Sequence, residues 1–583
     1  MSVTVFAARH DGRPGVRRAL LAFTAVALCL GAPAALADAS RAAADAAASA
    51  ALIQNPRGCG TVGSVLDAAS ATDMVMVDGF GGATWTVDTT NPEAQAWFDH
   101  GVRLRWAFEH KESVRAFRKA QALDPDCGMC AWGEAWALGP NLNGGGTDDA
   151  SMAEGRRLAQ LARRKARDAT PVQRRMIDAM IQRYSGFKSS RNVRFARAMD
   201  RIAEDNAAEP LIIAVAADAW MLKADEWWDE DGKARDPGIT RAMSLLEASL
   251  ERAPNDPGTI HLYIHLTEWS DDPHKAIPYG ERLAALTPSA SHLVHMPSHT
   301  FYRVGRYRDA MNSNVNAVAL DQRYDELARP PGGVPGMPLH AHNIHFGMGG
   351  ALMAGGAAEG LLLGQRFLAT YPDIPAGNAW RQMMAHNAYA IHGRFGSAEQ
   401  VAALAEPPED RPMLRASWRY ARGEAAARAG DARAVRAEAE AIRAIRDGQG
   451  LAGTEAADRR DFIEVFQRVL EGRAAMIEAN PAAAVVAYGR AAEIQGSGPE
   501  GGDPPVIWYP TRRSLAAALL ASGDAAGAKA KIEALLTDWP MDPYSLWVLA
   551  EAETALGNAA GADAARARAG VEWVGGAMTL GLA

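Results

Sequence analysis

Two pairs of histidines repeat at a fixed interval in the middle of the chain. The segment "TIHLYIHLTEW" contains His261 and His265, and "HLVHMPSHTF" contains His295 and His299, so each histidine of the first pair recurs 34 residues later. The whole chain of 583 residues has only 14 histidines, which makes this spacing informative. A fixed period of this length indicates that the chain is built from repeated structural units.

The rest of the chain also follows a helical repeat. From Pro92 onward the apolar residues have the spacing of amphipathic helices, and no segment alternates in the manner of a half-buried strand. The segment around Trp97 and Gly101 resembles the 34-residue tetratricopeptide pattern, and Gly523 and Gly557 lie one period apart near the end. We predict an all-α fold, a tetratricopeptide-like α-solenoid of antiparallel helix pairs with an extended N-terminal arm.

The predicted parts of the chain are four. They are a signal peptide (residues 1–37), the extended N-terminal arm (38–92), a solenoid that carries the histidines (93–400) and further tetratricopeptide-like repeats (401–583).

The first forty residues have the features of an export signal. Arg17 and Arg18 precede an apolar run that ends in the small-x-small sequence Ala35-Leu36-Ala37. A membrane anchor is the alternative, but the run is shorter than the ~20 apolar residues that span a bilayer. We therefore expect cleavage near Ala37 and a soluble protein in a bacterial periplasm, with no membrane span in the mature chain.

The charge of the chain excludes one class of partner. It has 61 basic and 69 acidic residues, and no basic block that resembles a nucleic-acid footprint. We expect no nucleic-acid partner.

Three cysteines remain beyond the signal: Cys59, Cys127 and Cys130. An odd number permits at most one intramolecular disulfide. A disulfide within or to the pair Cys127 and Cys130 is the favoured interpretation, and a redox motif or a soft metal ligand is the alternative.

Several long segments together resemble a family. They include "GTIHLYIHLTEWSDDPHKAIPYGERL", "SHLVHMPSHTFYRVGRYRDA" and "HAHNIHF". They are similar to a group of exported bacterial tetratricopeptide-repeat proteins of largely unassigned biochemistry, over roughly residues 80 to 400. In that group the residues that recur correspond here to His110, Cys127, Asn141, Asn143, His261, His265, Glu268, His292, His295, His299, Asn343 and His345. His100 departs from the pattern, where glutamine is more common.

The resemblance to the tetratricopeptide class implies which residues face the concave groove. The inward positions of three consecutive units carry a predicted metal-binding set: His261, His265, Glu268, His295, His299, His342 and His345. Residues predicted as ligand contacts or as supports of the metal ligands are His292, Tyr302, Arg303, Asn343, Trp227 and Trp228.

Imidazole ligands together with one carboxylate favour zinc, copper or iron. The predicted function is a transition-metal site in the groove, which is compatible with a metal-dependent enzyme of hydrolytic or oxidative chemistry but does not by itself require one; the ligand in the groove is expected to be a small molecule or a peptide. The alternatives are a non-enzymatic scaffold that binds a peptide or an envelope protein in the same groove, and structural packing of the histidines.

Overall fold

The computed structural model describes residues 73–451, 457–497 and 504–583, and most of these residues are helical. The predicted signal peptide, its cleavage site near Ala37, and Cys59 lie outside the described residues. No strand occurs in the described ranges beyond one isolated bridge between Trp228 and Ala234. The predicted all-α fold is confirmed.

The helices that precede the second histidine pair begin near the end of the arm. They are α1 (Pro92–Trp106), α2 (His110–Leu123), α3 (Gly128–Leu138), α4 (Asp149–Lys165), α5 (Pro171–Arg183), α6 (Lys188–Asp205), α7 (Pro210–Lys223), α8 (Pro237–Arg252), α9 (Pro257–Thr267) and α10 (Ile277–Leu286), with a 3-10 turn at Pro273–Ala276.

The helices from the second pair onward complete the array. They are α11 (Ser291–His295), α12 (Pro297–Arg303), α13 (Tyr307–Ala328), α14 (Gly333–Gly336), α15 (His340–Ala354), α16 (Ala357–Thr370), α17 (Ala379–Phe395), α18 (Ala398–Ala402), α19 (Pro412–Arg428), α20 (Ala432–Arg446), α21 (Ala457–Ile477), α22 (Pro481–Ser497), α23 (Arg512–Ala521), α24 (Ala525–Asp538), α25 (Pro543–Ala555) and α26 (Ala559–Glu572). Two further 3-10 turns lie at Gln449–Leu451 and Leu580–Leu582.

Local sequence sets where many of these helices begin. A short polar side chain caps the first turn and a proline occupies the first helical position in α1, α5, α9 and α25, for example Asp256 before Pro257. The carboxylate of Asp256 accepts the backbone N–H of Thr259 at 2.8 Å. Proline suits this position because its missing N–H would have no helical partner there.

Helices that are adjacent in sequence pack against each other along the chain, from α1 with α2 to α25 with α26. Their connections are short, so successive helices run antiparallel. This is the tetratricopeptide-like arrangement of stacked helix pairs that the repeat spacing predicts. The predicted boundary between residues 400 and 401 falls within the short helix α18, and the division into parts stays a prediction.

The described part of the arm packs on the helices. Residues 73–91 form no helix, and the backbone carbonyl of Gly79 accepts the N–H of Ser289 at 3.0 Å. The side-chain amide of Gln173 donates to the carbonyl of Thr86 at 2.9 Å.

Two apolar cores meet at the helices that carry the histidines. The first core includes Leu262 and Ile264 of α9, and the second includes Phe301 of α12 and Phe346 of α15. The polar residues of these helices therefore lie inside the protein, between two apolar regions.

Candidate metal centre

Six histidines and one glutamate gather where the two cores meet. They come from four helices and one helix end: His261 and His265 from α9, Glu268 at its C-terminal end, His292 and His295 from α11, His299 from α12 and His342 from α15. Each of the seven side chains is no more than 5% exposed.

The first three-histidine group consists of His295, His299 and His342, and its ring nitrogens face one another. The Nε2 atoms of His295 and His299 are 2.9 Å apart, and those of His342 and His295 are 3.1 Å apart. One donor atom from each of the three rings lies within 4.8 Å of the other two, a separation that permits binding of a common ion.

The contact made by Nδ1 of His295, the nitrogen that faces away from the group, determines whether Nε2 carries a proton. This Nδ1 lies 2.6 Å from Oδ1 of Asn314, and the Asn314 amide nitrogen donates to the carbonyl of Ala310 at 2.7 Å. Because Oδ1 can only accept, Nδ1 of His295 carries the proton and donates it. In the neutral form of this ring, Nε2 therefore presents a lone pair to the group.

Glu268 acts on His299 in the same way. Its Oε2 atom lies 2.6 Å from Nδ1 of His299. A carboxylate this close favours the tautomer of His299 that carries its proton on Nδ1, and Nε2 of that tautomer presents a lone pair towards Nε2 of His295. In these tautomers two lone pairs would lie 2.9 Å apart, and a metal ion bound between them would remove their repulsion.

The second three-histidine group consists of His261, His265 and His292, whose donor atoms also lie within 4.8 Å of one another. The Nδ1 atom of His261 lies 2.5 Å from the backbone carbonyl of Trp106, so it donates to that oxygen and leaves Nε2 as a lone pair. No hydrogen-bond partner for His261 Nε2, or for either nitrogen of His292, occurs within the described ranges.

Glu268 and the ring contacts join the two groups. The Oε1 atom of Glu268 lies 3.8 Å from Nδ1 of His265, and donor atoms of His265, Glu268 and His299 lie within 4.8 Å of one another. The rings of His292 and His295 stack with centroids 5.2 Å apart. The two groups are therefore direct neighbours.

Phe108 covers the second group. Its ring centroid lies 4.2 Å from that of His261, 5.6 Å from His265 and 5.3 Å from His292. Phe108 is fully buried and has a φ of +57°, a left-handed conformation that side chains other than glycine rarely adopt. The turn between α1 and α2 thus holds an unfavourable backbone conformation that directs an aromatic ring onto the histidines.

Gly258 allows the end of α1 to approach α9. A Cβ atom at this position would lie 2.7 Å from the Trp106 ring, closer than carbon atoms can pack. The absence of a side chain at Gly258 lets the indole lie against α9, next to the carbonyl that orients His261.

Burial favours the neutral form of three of these imidazoles. It lowers the pKa of His261, His292 and His342 well below the ordinary value, and neighbouring histidines lower each pKa further. Neutral imidazole is the form that binds metal ions.

The structure differs from the sequence prediction in how the histidines meet solvent. The repeat frame predicts side chains that line an open groove, whereas all seven are buried. The reason is packing across the chain: Phe108 comes from α1–α2 and Phe346 from α15, and their rings cover the two groups.

His345 does not join either group. Its ring lies 6.2 Å from the ring of Trp380, and neither nitrogen has a hydrogen-bond partner in the part of the chain that the structure describes. It lies three positions after His342 on the same helix, about 60° around the helix axis from it, and its ring faces Trp380 instead of either group.

The other predicted contacts lie around the cluster and make separate interactions. The guanidinium of Arg303 stacks on Trp269, 3.4 Å from the ring centroid, and the Tyr302 ring lies 5.9 Å from that of Phe346. The amide of Asn343 donates to Asp321 at 3.3 Å.

The paired tryptophans of the 225–238 loop hold that loop in place. The indole N–H of Trp227 donates to the carbonyl of Met221, and that of Trp228 donates to the carbonyl of Leu266, each at 3.0 Å. Separately, Cys127 and Cys130 form a disulfide at the start of α3.

The sequence pattern does not predict three groups that contribute to the site: Phe108, Asn314 and the carbonyl of Trp106. None belongs to a histidine motif, and each reaches the cluster through packing between distant helices. The left-handed turn at Phe108 has no distinctive sequence signal.

The comparisons with known proteins add little to this geometry. No protein-family model matches the chain, and no curated protein matches it in sequence. The human IFIT1 dimer with m7Gppp-AAAA matches at 12% identity over 83% of this chain and 96% of that chain, with a TM-score of 0.29. The structure of Naa15/Naa10 bound to HypK-THB matches at 11% identity over 82% of this chain and 89% of that one, with a TM-score of 0.21. Values this low carry no information about what the present chain binds or does.

Proposed function

We propose that the protein binds a transition metal at its buried histidine cluster. The main ligands are the Nε2 atoms of His295, His299 and His342, and His261, His265 and His292 hold a second ion beside them. The observation that carries the proposal is the 2.9 Å approach of two Nε2 atoms whose opposite Nδ1 atoms each lie 2.6 Å from an oxygen, that of Asn314 for His295 and that of Glu268 for His299.

The donor set suits some metals and not others. Imidazole nitrogens are preferred by zinc, copper and iron, whereas magnesium and calcium prefer oxygen ligands. Glu268 is a positioning residue in this proposal, because its carboxylate contacts the outer nitrogen of His299 and so fixes the ring orientation.

The chemistry that fits this ligand set is hydrolytic or oxidative. Three protein ligands leave a coordination position for water or substrate, as in catalytic zinc sites, and a metal held in this way acts as a Lewis acid. We propose that the protein is a metal-dependent enzyme that acts on a small molecule or a short peptide. Because the ligands are buried, substrate reaches them only when covering groups such as Phe108 move.

The alternative of a peptide-binding scaffold gains no support from these residues. The six clustered histidines and Glu268 are at most 5% exposed and make their contacts with one another and with neighbouring helices. A peptide in an open groove would not touch them.

We also propose that the protein is exported to the periplasm after cleavage near Ala37. The disulfide between Cys127 and Cys130 supports an oxidising compartment. No helix in the described ranges has both the length and the apolar character to cross a bilayer. Mass spectrometry of the protein from a bacterial periplasmic fraction is expected to give a chain that begins at Asp38, and an intact N-terminus retained in the cytosol would contradict export.

The metal site is tested by two substitutions on one helix. His342 and His345 are three residues apart on α15 and equally buried, yet only His342 belongs to a three-histidine group. We expect the full chain, dialysed separately against zinc, copper and iron(II), to retain at least one ion of one of these metals per chain by elemental analysis. His342→Asn is expected to lose that ion and His345→Asn to keep it.

Two outcomes would contradict the proposal. One is a wild-type chain that retains none of the three metals, and the other is a metal content that does not differ between the two variants. His261→Asn separately tests the second ion, because it is expected to lower the metal content without abolishing it.

A further inference from the structure

A buried arginine lies near Phe108, the residue that covers the second three-histidine group. The Cζ atom of Arg105 is 5.9 Å from the Phe108 ring centroid and 5.0 Å from that of Trp136. Arg105 is fully buried, and none of its three side-chain nitrogens has a hydrogen-bond partner in the described ranges. A buried guanidinium without hydrogen bonds is costly unless a ligand satisfies its donors.

The nearest carboxylate does not balance the charge of this region. Asp218 lies 3.6 Å from Arg105, and neither Asp218 oxygen has a hydrogen-bond partner among the described residues. A second buried guanidinium, that of Arg183, interacts electrostatically with both Arg105 and Asp218. Two cations and one carboxylate leave one positive charge unmatched in the interior.

The pKa of Arg105 preserves this excess of positive charge. Burial lowers the pKa of Arg105 only to about 10, so the guanidinium stays charged at neutral pH. Burial also raises the pKa of Asp218.

Two more polar side chains without hydrogen-bond partners in the described ranges belong to a residue near this phenylalanine and to the sequence neighbour of another. The ring of His110 is 5.3 Å from that of Phe108, and both of its nitrogens are without a hydrogen-bond partner in the described part of the chain. Leu142 packs against Phe108, and the adjacent Asn143 is 6% exposed with both amide atoms unpartnered. Uncompensated polar groups of this kind rarely collect in one buried region without a ligand.

We propose that Arg105 and His110, together with Asn143, bind the carboxylate group of an acidic organic ligand. A guanidinium recognises a carboxylate through two parallel N–H donors, a neutral imidazole supplies one further N–H donor, and the side-chain amide of Asn143 supplies the rest. The single unmatched positive charge fits a monoanionic carboxylate better than a phosphate dianion.

The location gives this site a role in the proposed reaction. Phe108 contacts Arg105 and His110 as well as His261, His265 and His292, so a ligand held by Arg105 lies one aromatic ring away from the histidines. We infer that substrates of the metal site are acids whose carboxylate binds here. This inference about substrates rests on the proposed function, whereas anion binding itself does not.

The test uses metal-free full-length protein, so that it is independent of the metal. Sodium acetate and sodium phosphate are titrated separately by calorimetry, at constant ionic strength with sodium chloride as the background. We expect acetate to bind the wild-type chain and Arg105→Gln to abolish binding. Arg175→Gln, which alters an exposed ion pair with Asp205, is the control and is expected to bind as the wild type does.

The Asp218→Asn variant is expected to change acetate affinity in the opposite direction from Arg105→Gln. Removal of the competing carboxylate is expected to tighten acetate binding by at least about tenfold, because the two negative charges no longer share one site. If Arg105 and Asp218 were only a structural ion pair, Asp218→Asn would destabilise the chain and no acetate would bind.

Three results would overturn the proposal: no acetate binding to either wild type or Asp218→Asn, unchanged binding to Arg105→Gln, or phosphate that binds more tightly than acetate. The His342→Asn variant separates the two proposals, because its acetate binding is expected to equal that of the wild type even though its metal site is lost.

Discussion

His299 shows how one side chain sets the chemistry of the cluster. Its outer nitrogen faces Glu268 at 2.6 Å, and its inner nitrogen faces His295 at 2.9 Å. The carboxylate therefore determines which nitrogen carries the proton, and the other nitrogen is left as a ligand. His295 is held in the same manner by Asn314. Asn314 lies on α13, whereas His295 lies on α11. Glu268 lies at the C-terminal end of α9, whereas His299 lies on α12.

The first prediction concerns Glu268. Glu268→Gln keeps the size of the side chain but removes the charge that fixes the orientation and the tautomer of His299. We expect metal affinity to fall by about 10- to 100-fold, the usual effect of the loss of a group that orients a metal ligand. The measurement is competition with a chromophoric chelator, and the control is Glu281→Gln at an exposed ion pair. Unchanged affinity would show that Glu268 does not orient His299.

The second prediction concerns His386, which lies outside the cluster. Its ring stacks on Phe466 with centroids 3.8 Å apart, and burial lowers its pKa to about 3. In the unfolded chain the same ring titrates near 6.5, so below this pH the unfolded state binds a proton that the folded state does not. Stability from this group is therefore lost as the pH falls from about 6.5 towards 3.

Removal of the titrating ring removes this pH dependence. Relative to His386→Asn, the wild-type free energy of unfolding is expected to fall by about 1.4 kcal/mol between pH 7.5 and pH 5.5. Urea unfolding of the metal-free protein at both values measures it, with His274→Asn at an exposed position as the control. An equal pH dependence in wild type and His386→Asn would contradict the prediction.

At the scale of elements, the approach of α13 and α15 positions the first three-histidine group. A Cβ atom at Gly350 of α15 would lie 2.8 Å from the backbone nitrogen of Met311 on α13. This contact brings Asn314, on α13, next to His295, and it accounts for the glycine-rich sequence of α15. The glycines serve close helix packing.

The third prediction is that Gly350→Ala destabilises the chain by about 1–3 kcal/mol, because the added methyl group forces two helices apart. The matched control is Gly570→Ala on α26, where a Cβ atom would meet nothing within 4 Å. Alanine is the better helix former, so this control is expected to gain about 0.5–1 kcal/mol. Urea unfolding compares the two variants, and a Gly350→Ala chain as stable as wild type would contradict close packing at this position.

The sequence alone predicts the helical repeat and most of the histidine cluster, because both follow from the spacing of residues along the chain. The 34-residue period places His261, His265, His295 and His299 at equivalent positions, and the structure brings all four together. The repeat spacing does not show which of His342 and His345 joins the cluster. The two side chains differ by rotation about the helix axis, and they follow an insertion whose geometry the repeat does not specify.

The repeat pattern does not predict contacts between parts of the chain that are distant in sequence. Phe108 lies more than 150 residues before the histidines that it covers, and its effect depends on a left-handed turn. The same packing buries residues that the repeat frame places in an open groove. Arg105 and Asp218 likewise become neighbours only through the packing of helices that are far apart in sequence.

At the scale of the whole molecule, the cluster lies where two apolar cores meet, and its ligands come from helices of both. A metal ion bound there would link the helices of the two cores, so binding is expected to stabilise the folded chain as any ligand specific to the native state does. The central claim is that this link is a metal ion with imidazole ligands.

X-ray absorption spectroscopy of the full chain, loaded with one equivalent of zinc, tests that claim most directly. We expect a first shell of nitrogen and oxygen at about 2.0 Å, with outer-shell scattering from three imidazoles in the wild type and in His345→Asn, and a lower zinc content in His342→Asn. A first shell of oxygen atoms without imidazole scattering, or zinc that is lost on buffer exchange, would contradict it.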